Sequence, residues 1–311
     1  MPELPEVETL RRGLEKDILN RQVVRAVVTK AKVLKEQTET AFQERIVGRR
    51  IERVDRRGKY LLVALTAERA DVRSPSTPPS DIGQRVALGE PLILLCIHLK
   101  MRGQLLLQKA DEPISPYHCV SLLLDDSMEV RFHDMWMWGE MRALTSEELA
   151  KVPGLAGMGA EPLDPAWDVR SLAPQLAKRS GPIKPTLLDQ RVVAGVGNIY
   201  ADEALFRAGI HPARPAASLT EAETARLTQT IRAVLSEAVE GGGTTSEEYV
   251  DVNGMAGRYT PRVYDRGGQP CVVCGTPLTR IRLGGRGTVF CGHCQAPEPT
   301  MHGGSRERRY R

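Results

Sequence analysis

Residues 271–294 read CVVCGTPLTRIRLGGRGTVFCGHC. Two Cys-x-x-Cys pairs, Cys271 with Cys274 and Cys291 with Cys294, stand sixteen residues apart, a spacing suited to a tetrahedral zinc site. Four thiolates complete the coordination sphere and leave no position for water. The expected cofactor is therefore one structural zinc ion per chain. Disulfides are the alternative, and a reducing cytoplasm opposes them. Between the pairs, RIRLGGRGTVF reads as two short strands around a glycine-rich tip that carries Arg286. A hairpin pinned by metal and tipped with a guanidinium suits a phosphate group. The two remaining cysteines, Cys96 and Cys119, lie in apolar runs that suit buried thiols.

Charge is distributed in the same direction. From Gly257 to Arg311 there are ten arginines against Asp265, Glu298 and Glu307, an excess of +7 in a chain of net charge +4. The other 256 residues therefore carry 4 − 7 = −3. A basic C-terminal end on a mildly acidic body points to a polyanion, nucleic acid before acidic protein. No apolar run approaches the ~20 residues of a membrane span, and the N-terminus lacks the basic-then-apolar order of a signal peptide. A cytoplasmic, nucleoid-associated monomer is expected, with no membrane partner.

Upstream of the cysteines the pattern is helical. SLTEAETARLTQTIRAVLSEAVEGGG (218–243) offers a capping box, Ser218 with Glu221, and an apolar face of Leu227, Ile231, Val234, Leu235 and Ala238. Before it, residues 184–212 read as two short helices joined by Gly195, Val196, Gly197 and Asn198. With Asn198 as cap of a helix starting at Ile199, free backbone amides would face an anion there.

Residues 1 to about 145 read as mainly β. The runs QVVRAVVT, RIERVDRRGKYLLVALT, PLILLCIHLKMRGQLLLQ and CVSLLLDDSMEVRFH are rich in apolar and β-branched residues, with DDS as a hairpin turn. One helix precedes them, with Val7, Leu10, Leu14 and Ile18 on a single face. RSPSTPPSDIGQ (73–84) reads as an inserted loop. The chain itself opens MPELPEVETL, where Pro5 and Glu6 suit a first helical turn. Removal of Met1 would make Pro2 a secondary amine at the chain end.

Taken in order, MPELPEVETLRRGLE, RRGKYLL, HLKM, IKPTLLDQ, VAGVGNIYADEALFRAGIHP, GGTT and the closing cysteine region resemble formamidopyrimidine-DNA glycosylase from Pro2 to about Gln295. The resemblance implies an α+β multidomain fold. An N-terminal β-sandwich with an N-terminal helix (1–145) precedes a helix-two-turns-helix domain (150–262). A zinc-ribbon β-hairpin finger (263–296) and a basic tail (297–311) follow, with DNA held between the halves. It implies a bifunctional glycosylase and abasic-site lyase acting on oxidised purines, 8-oxoguanine and formamidopyrimidines, in double-stranded DNA.

By resemblance Pro2 is the nucleophile, Glu3 the acid/base that opens the sugar ring, and Lys59 a cation beside the lesion, with Arg286 in the same catalytic group. A terminal amine has a reference pKa of about 7.7–8.0 against about 10.4 for lysine, so it supplies far more neutral nucleophile. DNA contacts implied are His98, Met101, Trp138, Lys184, Asn198, Tyr200, Tyr264 and Arg286, with Glu6 and Glu203 near the active site. Met101 is the side chain expected to wedge into the base stack. The family's DPRRFG stretch is replaced by DMWMWG (134–139), so the arginine that would bond the cytosine opposite the lesion becomes Trp136, Met137 and Trp138. That departure leaves two other readings open. One is an endonuclease VIII-like glycosylase for oxidised pyrimidines, the other a non-catalytic damaged-DNA binder on the same scaffold.

Overall fold

The computed structural model of the protein describes residues 1–66, 92–245 and 249–296. The 73–84 stretch and the 297–311 tail fall outside the described residues. The chain forms two compact units that are not contiguous in sequence. One comprises residues 1–167, 190–197 and 232–260; the other comprises 168–189, 198–231 and 261–311.

The first unit begins with α1 (Leu4–Ile18), the helix expected ahead of the strands. Pro5 occupies its first turn, where its missing N–H removes no helical bond. Val7, Leu10, Leu14 and Ile18 are all essentially inaccessible and pack into the main core. Two antiparallel four-stranded sheets enclose that core. One has the order β1 (Val23–Val28), β6 (His118–Leu124), β7 (Met128–His133), β5 (Gln104–Lys109). The other has the order β2 (Arg50–Arg57), β3 (Tyr60–Thr66), β4 (Ile93–His98), β8 (Glu140–Leu144). Val120, Leu122, Val130 and Phe132 of the first sheet meet Leu61, Val63, Leu95 and Ile97 of the second in one cluster, so the unit is a β-sandwich. Strands β3 and β4 are apolar on both faces because both are covered. Their outer residues Tyr60, Leu62 and Cys96 pack against Leu149, Val152, Leu155 and Met158.

DDS is the β6–β7 turn as expected. Ser127 takes the left-handed conformation (φ 66°) that closes a three-residue hairpin loop. Two elements of this unit carry no strong sequence signal: α2 (Glu39–Ile46) and the short strand β8. Helix α2 hides only Phe42 and Ile46, and β8 reads EMRAL, with charges at alternate positions. The small helix α3 (Ser146–Ala150) follows β8.

The second unit holds α4 (Val169–Ala177), α5 (Ile183–Leu188), α6 (Asn198–Ala208) and a hairpin of β9 (Thr279–Leu283) with β10 (Arg286–Phe290). Helix α7 (Glu221–Glu240) runs through residues of both units. Its capping box is not the expected Ser218–Glu221 pair. Thr220 Oγ1 accepts from Glu223 N at 3.3 Å and Glu223 Oε2 accepts from Thr220 N at 2.8 Å. Ser218 instead ends a short 3₁₀ turn, where its hydroxyl donates to Pro215 O. Both pairs have the required spacing. The turn at Ala216–Ser218 holds Ser218 back and gives the cap to Thr220.

Gly195 sets where α1 begins. Its carbonyl accepts from Leu4 N at 3.1 Å, its φ is +78°, and a Cβ there would lie 2.5 Å from Leu4 Cβ. Gly195→Ala combines a left-handed backbone, costing about 1–2 kcal/mol alone, with that clash. Urea unfolding is expected to register at least this loss, whereas Gly181→Ala, where nothing lies near the added methyl, stays near wild type.

Candidate active site

Glu3 lies at the N-cap of α1 and is 2 % exposed. Its backbone N–H donates to Glu6 Oε2 at 2.8 Å, while its own Oε2 accepts from the backbone N–H of Gly197 at 2.8 Å. Lys59 arrives from the other side, on the two-residue turn between β2 and β3. Gly58 (φ +55°) occupies the first central position there, a place that favours glycine. Arg57 and Gly58 hold that turn to Glu161, with Arg57 Nη1 and Gly58 N donating to Glu161 Oε1 at 2.9 and 2.6 Å. A Cβ built on Gly197 would stand 2.5 Å from both Glu3 Oε1 and Lys59 Nζ. Residues nearly two hundred positions apart thus place a carboxylate and an ammonium against one bare backbone position, one residue along the chain from Pro2.

Glu6 serves the same corner. Besides accepting from Glu3 N, its Oε1 accepts from Thr244 N at 3.0 Å, and its carbonyl accepts from the Tyr249 hydroxyl at 3.2 Å. Glu6 is 1 % exposed, so its part is to tie the first turn of α1 to the GGTT turn.

His98 ends β4 and is buried, with its ring edge-on to Tyr60 at 4.5 Å. Burial first, then the neighbouring Lys100 charge, pulls its pKa down to about 3. Its Nδ1 accepts from Lys100 N at 3.0 Å, which leaves the ring proton on Nε2. In the next turn Met101 stands 39 % exposed. In the 134–139 stretch Trp136 and Trp138 are also exposed, their rings 4.7 Å apart. Asp134, itself buried, holds this stretch: its Oδ1 accepts from Trp136 N at 2.9 Å and its Oδ2 from Gly139 N at 2.6 Å.

In the second unit, the sequence expectations fare unevenly. Helix α6 begins at Asn198 itself, and Asn198 Oδ1 is buried without a hydrogen-bond partner, so its side chain does not cap the helix. Tyr200 is fully buried and presents no surface to a ligand. Lys184 is also inaccessible. Its ammonium donates to Gly287 O at 2.8 Å and Thr288 Oγ1 at 2.9 Å and pairs with Asp202 at 2.8 Å. The resemblance puts Lys184 on DNA, but here it anchors β10 to α5 and α6. Burial pushes Asp202 up to about 7 in spite of Lys184, and its other oxygen accepts from Val289 N at 3.1 Å. Glu203 orders the approach to the finger by accepting from the backbone N–H groups of Arg262, Val263 and Tyr264 at 2.8–2.9 Å. Tyr264 is half-buried, and Arg286 is exposed just after the tip glycines Gly284 and Gly285, both at positive φ.

The four expected cysteines converge. All four Sγ atoms lie within 4.8 Å of one another, with Cys274 and Cys291 at 3.5 Å and Cys271 and Cys294 at 3.9 Å. A tetrahedral ion with Zn–S of about 2.3 Å needs sulfurs about 3.8 Å apart, so the donor set fits zinc. Backbone N–H groups of Val273 and Cys294 donate to Cys271 and Cys291 sulfur at 3.5 and 3.4 Å.

Three family models match in sequence order. They are the formamidopyrimidine-DNA glycosylase N-terminal domain (residues 1–141), its H2TH domain (158–249), and the zinc finger found in FPG and IleRS (268–297). The chain belongs to the formamidopyrimidine-DNA glycosylase family. The enzyme of that name from Moorella thermoacetica is 42 % identical over 284 residues, 91 % of this chain and 95 % of the relative. The one from Geobacter sulfurreducens is 41 % identical over 297 residues, 95 % of this chain and all of the relative. Among solved structures, the MutM (Fpg) protein of Thermus thermophilus superposes with a TM-score of 0.77 at 38 % identity, over 96 % of this chain and all of that one. The Lactococcus lactis Fpg bound to DNA with an abasic site gives 0.79 at 29 %, over 95 % of this chain and all of that one. Two residues that organise these parts escaped the sequence reading: Glu161, which holds the Lys59 turn, and Asp134, which holds the 134–139 stretch. Of these only Asp134 offers a local signal, an aspartate at the head of a tight loop whose amides it can accept from.

The His98 shift has a sign that can be measured. The folded chain keeps the imidazole neutral down to about 3 while the unfolded chain binds a proton below 6.5, so stability is lost as pH falls through that window. Between pH 7 and pH 5 the loss is about 2 kcal/mol, at 1.36 kcal/mol per unit. Urea unfolding of His98→Gln is expected to lose about 2 kcal/mol less than wild type over the same two pH values.

Proposed function

We infer that this chain removes oxidised purines from double-stranded DNA as a DNA glycosylase and cleaves the resulting abasic site as a lyase. The observation that carries the reading is the meeting of Glu3 and Lys59 at Gly197, beside the start of the chain. Segments 1–145, 150–262 and 263–296 act respectively as catalytic domain, DNA-binding helical domain and zinc finger. Among the described residues no helix is long and apolar enough to cross a membrane. The chain works on DNA in the cytoplasm, at the nucleoid, as a monomer.

While Met1 is attached, the Pro2 nitrogen is an amide and is no nucleophile. Once Met1 is removed it is a secondary amine with one hydrogen. The nitrogen attacks C1′ of the damaged nucleotide, forming N–C1′ as the bond from C1′ to the base breaks; the base leaves with its electron pair, and the proton given up by the nitrogen neutralises it. Glu3 protonates the ring oxygen, the sugar opens, and the nitrogen is left in an iminium ion. That cation cannot be discharged by losing an N–H, since none remains. It draws electrons from C2′ after loss of a proton, and the 3′ phosphate leaves, followed by the 5′ phosphate. The buried ammonium of Lys59 faces the developing negative charge, and a low-dielectric corner strengthens that interaction.

Binding falls to groups of the second unit: the Asn198 amide, Tyr264 and the exposed Arg286, with His98 offering a neutral Nε2–H from the first unit. The zinc, bound by Cys271, Cys274, Cys291 and Cys294, holds the finger in shape and takes no part in the chemistry.

Borohydride reduces an iminium to a stable amine, so wild-type protein lacking Met1 should be trapped on 8-oxoguanine DNA. Pro2→Gly, or a form retaining Met1, should lose at least about nine-tenths of that adduct yet keep its zinc and its fold. A Met1-retaining form that traps DNA normally sinks the assignment of Pro2. A second measurement addresses the corner itself. Gly197→Ala pushes Glu3 and Lys59 apart, and single-turnover excision is expected to slow by about 10²-fold, the scale of a misplaced catalytic group. Near-normal rates in a folded Gly197→Ala protein would count against it.

A further inference from the structure

We propose that Arg102, held over the indole of Trp136, reads the base left unpaired opposite the excised nucleotide. This rests on the glycosylase reading above. An enzyme that works on a base inside a duplex must extrude it, which leaves a gap in the stack and a partner base without a mate. Apolar side chains inserted at the step fill such gaps. The first unit exposes apolar side chains suited to this. Met101, Trp136 and Trp138 stand 39 %, 38 % and 51 % exposed, whereas Trp167, the third tryptophan of the chain, is 3 % exposed.

These indoles are not loosely hung. The Asp134 carboxylate takes the N–H groups at both sides of the loop, and Met137 packs back against the main core. A Cβ on Gly139 would collide with Phe132 at 2.4 Å, so the loop lies directly on the core. The two rings, 4.7 Å apart and inclined at 47°, form a firm apolar wedge. Such a wedge stacks on any base, because every base has a π face, and it cannot tell one from another.

Discrimination needs hydrogen bonds, and Arg102 is placed to supply them. Its guanidinium carbon lies 5.2 Å from the Trp136 ring centroid, a cation–π contact. The indole orients the planar fork of Arg102, so little freedom is lost when it meets a base. Cytosine presents two neighbouring acceptors, N3 and O2, to such a fork. Adenine presents one acceptor beside an amino group that is itself a donor. The pair therefore favours cytosine over adenine, and Trp136 acts as a positioning residue. The guanidinium that residues 134–139 lack is supplied from the turn after β4.

The test is single-turnover excision of 8-oxoguanine opposite C and opposite A by the full chain, with borohydride trapping on abasic DNA alongside. Wild type should favour C by about tenfold or more, the scale of one bidentate contact. Arg102→Ala and Arg102→Lys should both bring the ratio within about threefold, since lysine keeps the charge but not the fork. Trp136→Ala should lower the ratio and Trp136→Phe restore most of it. If Arg102→Ala and Arg102→Lys trap abasic DNA and keep the wild-type ratio, or if wild type itself shows no preference, the proposal is overturned. A wild-type protein that forms no adduct with any DNA overturns the glycosylase reading, and this inference with it.

Discussion

The bond from Gly197 N–H to the Glu3 carboxylate is the constraint around which the first unit is organised. It fastens the start of α1 to a loop nearly two hundred residues away and leaves the second Glu3 oxygen near Lys59. A buried carboxylate is tolerated only where donors satisfy it. Here a backbone amide does so, and the missing side chain at Gly197 leaves the space for both charged groups. Glu6 repeats the arrangement one turn later with Thr244, so two carboxylates of one short segment hold three parts of the chain together.

The second unit is held by a different device. Lys184 and Asp202 form a fully buried ion pair that also bonds the backbone and the Thr288 hydroxyl of β10. Removing one member of such a pair strands a charge, typically at a cost of about 3–5 kcal/mol. The finger has two independent supports, the four cysteines at one end and this pair at the other. Gln295 adds a third link, donating to Ile210 O and accepting from Cys291 N. Together they leave Arg286 exposed at the end of a stiff hairpin.

Much of this is legible in the sequence. The cysteine spacing gave the metal donor set because ligand geometry is encoded in short sequence distances. The α1 face and the β6–β7 turn were legible because periodicity and turn residues act locally. Strand β8 and helix α2 were not, since each depends on an existing sheet to cover it. The α7 cap was misassigned because Ser218 and Thr220 both satisfy the local pattern, and only the preceding 3₁₀ turn separates them. The burial of Lys184, which the resemblance put on DNA, was not legible either, because it is decided by what packs over the residue.

By itself, then, the sequence determined the elements, the zinc donors, the family and the identities of the reactive groups, because each rests on residue type at short range. Tertiary structure alone decided which of those groups meet. It brought Glu3, Lys59 and Gly197 together, withdrew Lys184 and Tyr200 into the interior, and placed Arg102 over Trp136. Contacts between residues tens to hundreds of positions apart follow from how sheets and loops close on one core. No local spacing encodes that closure.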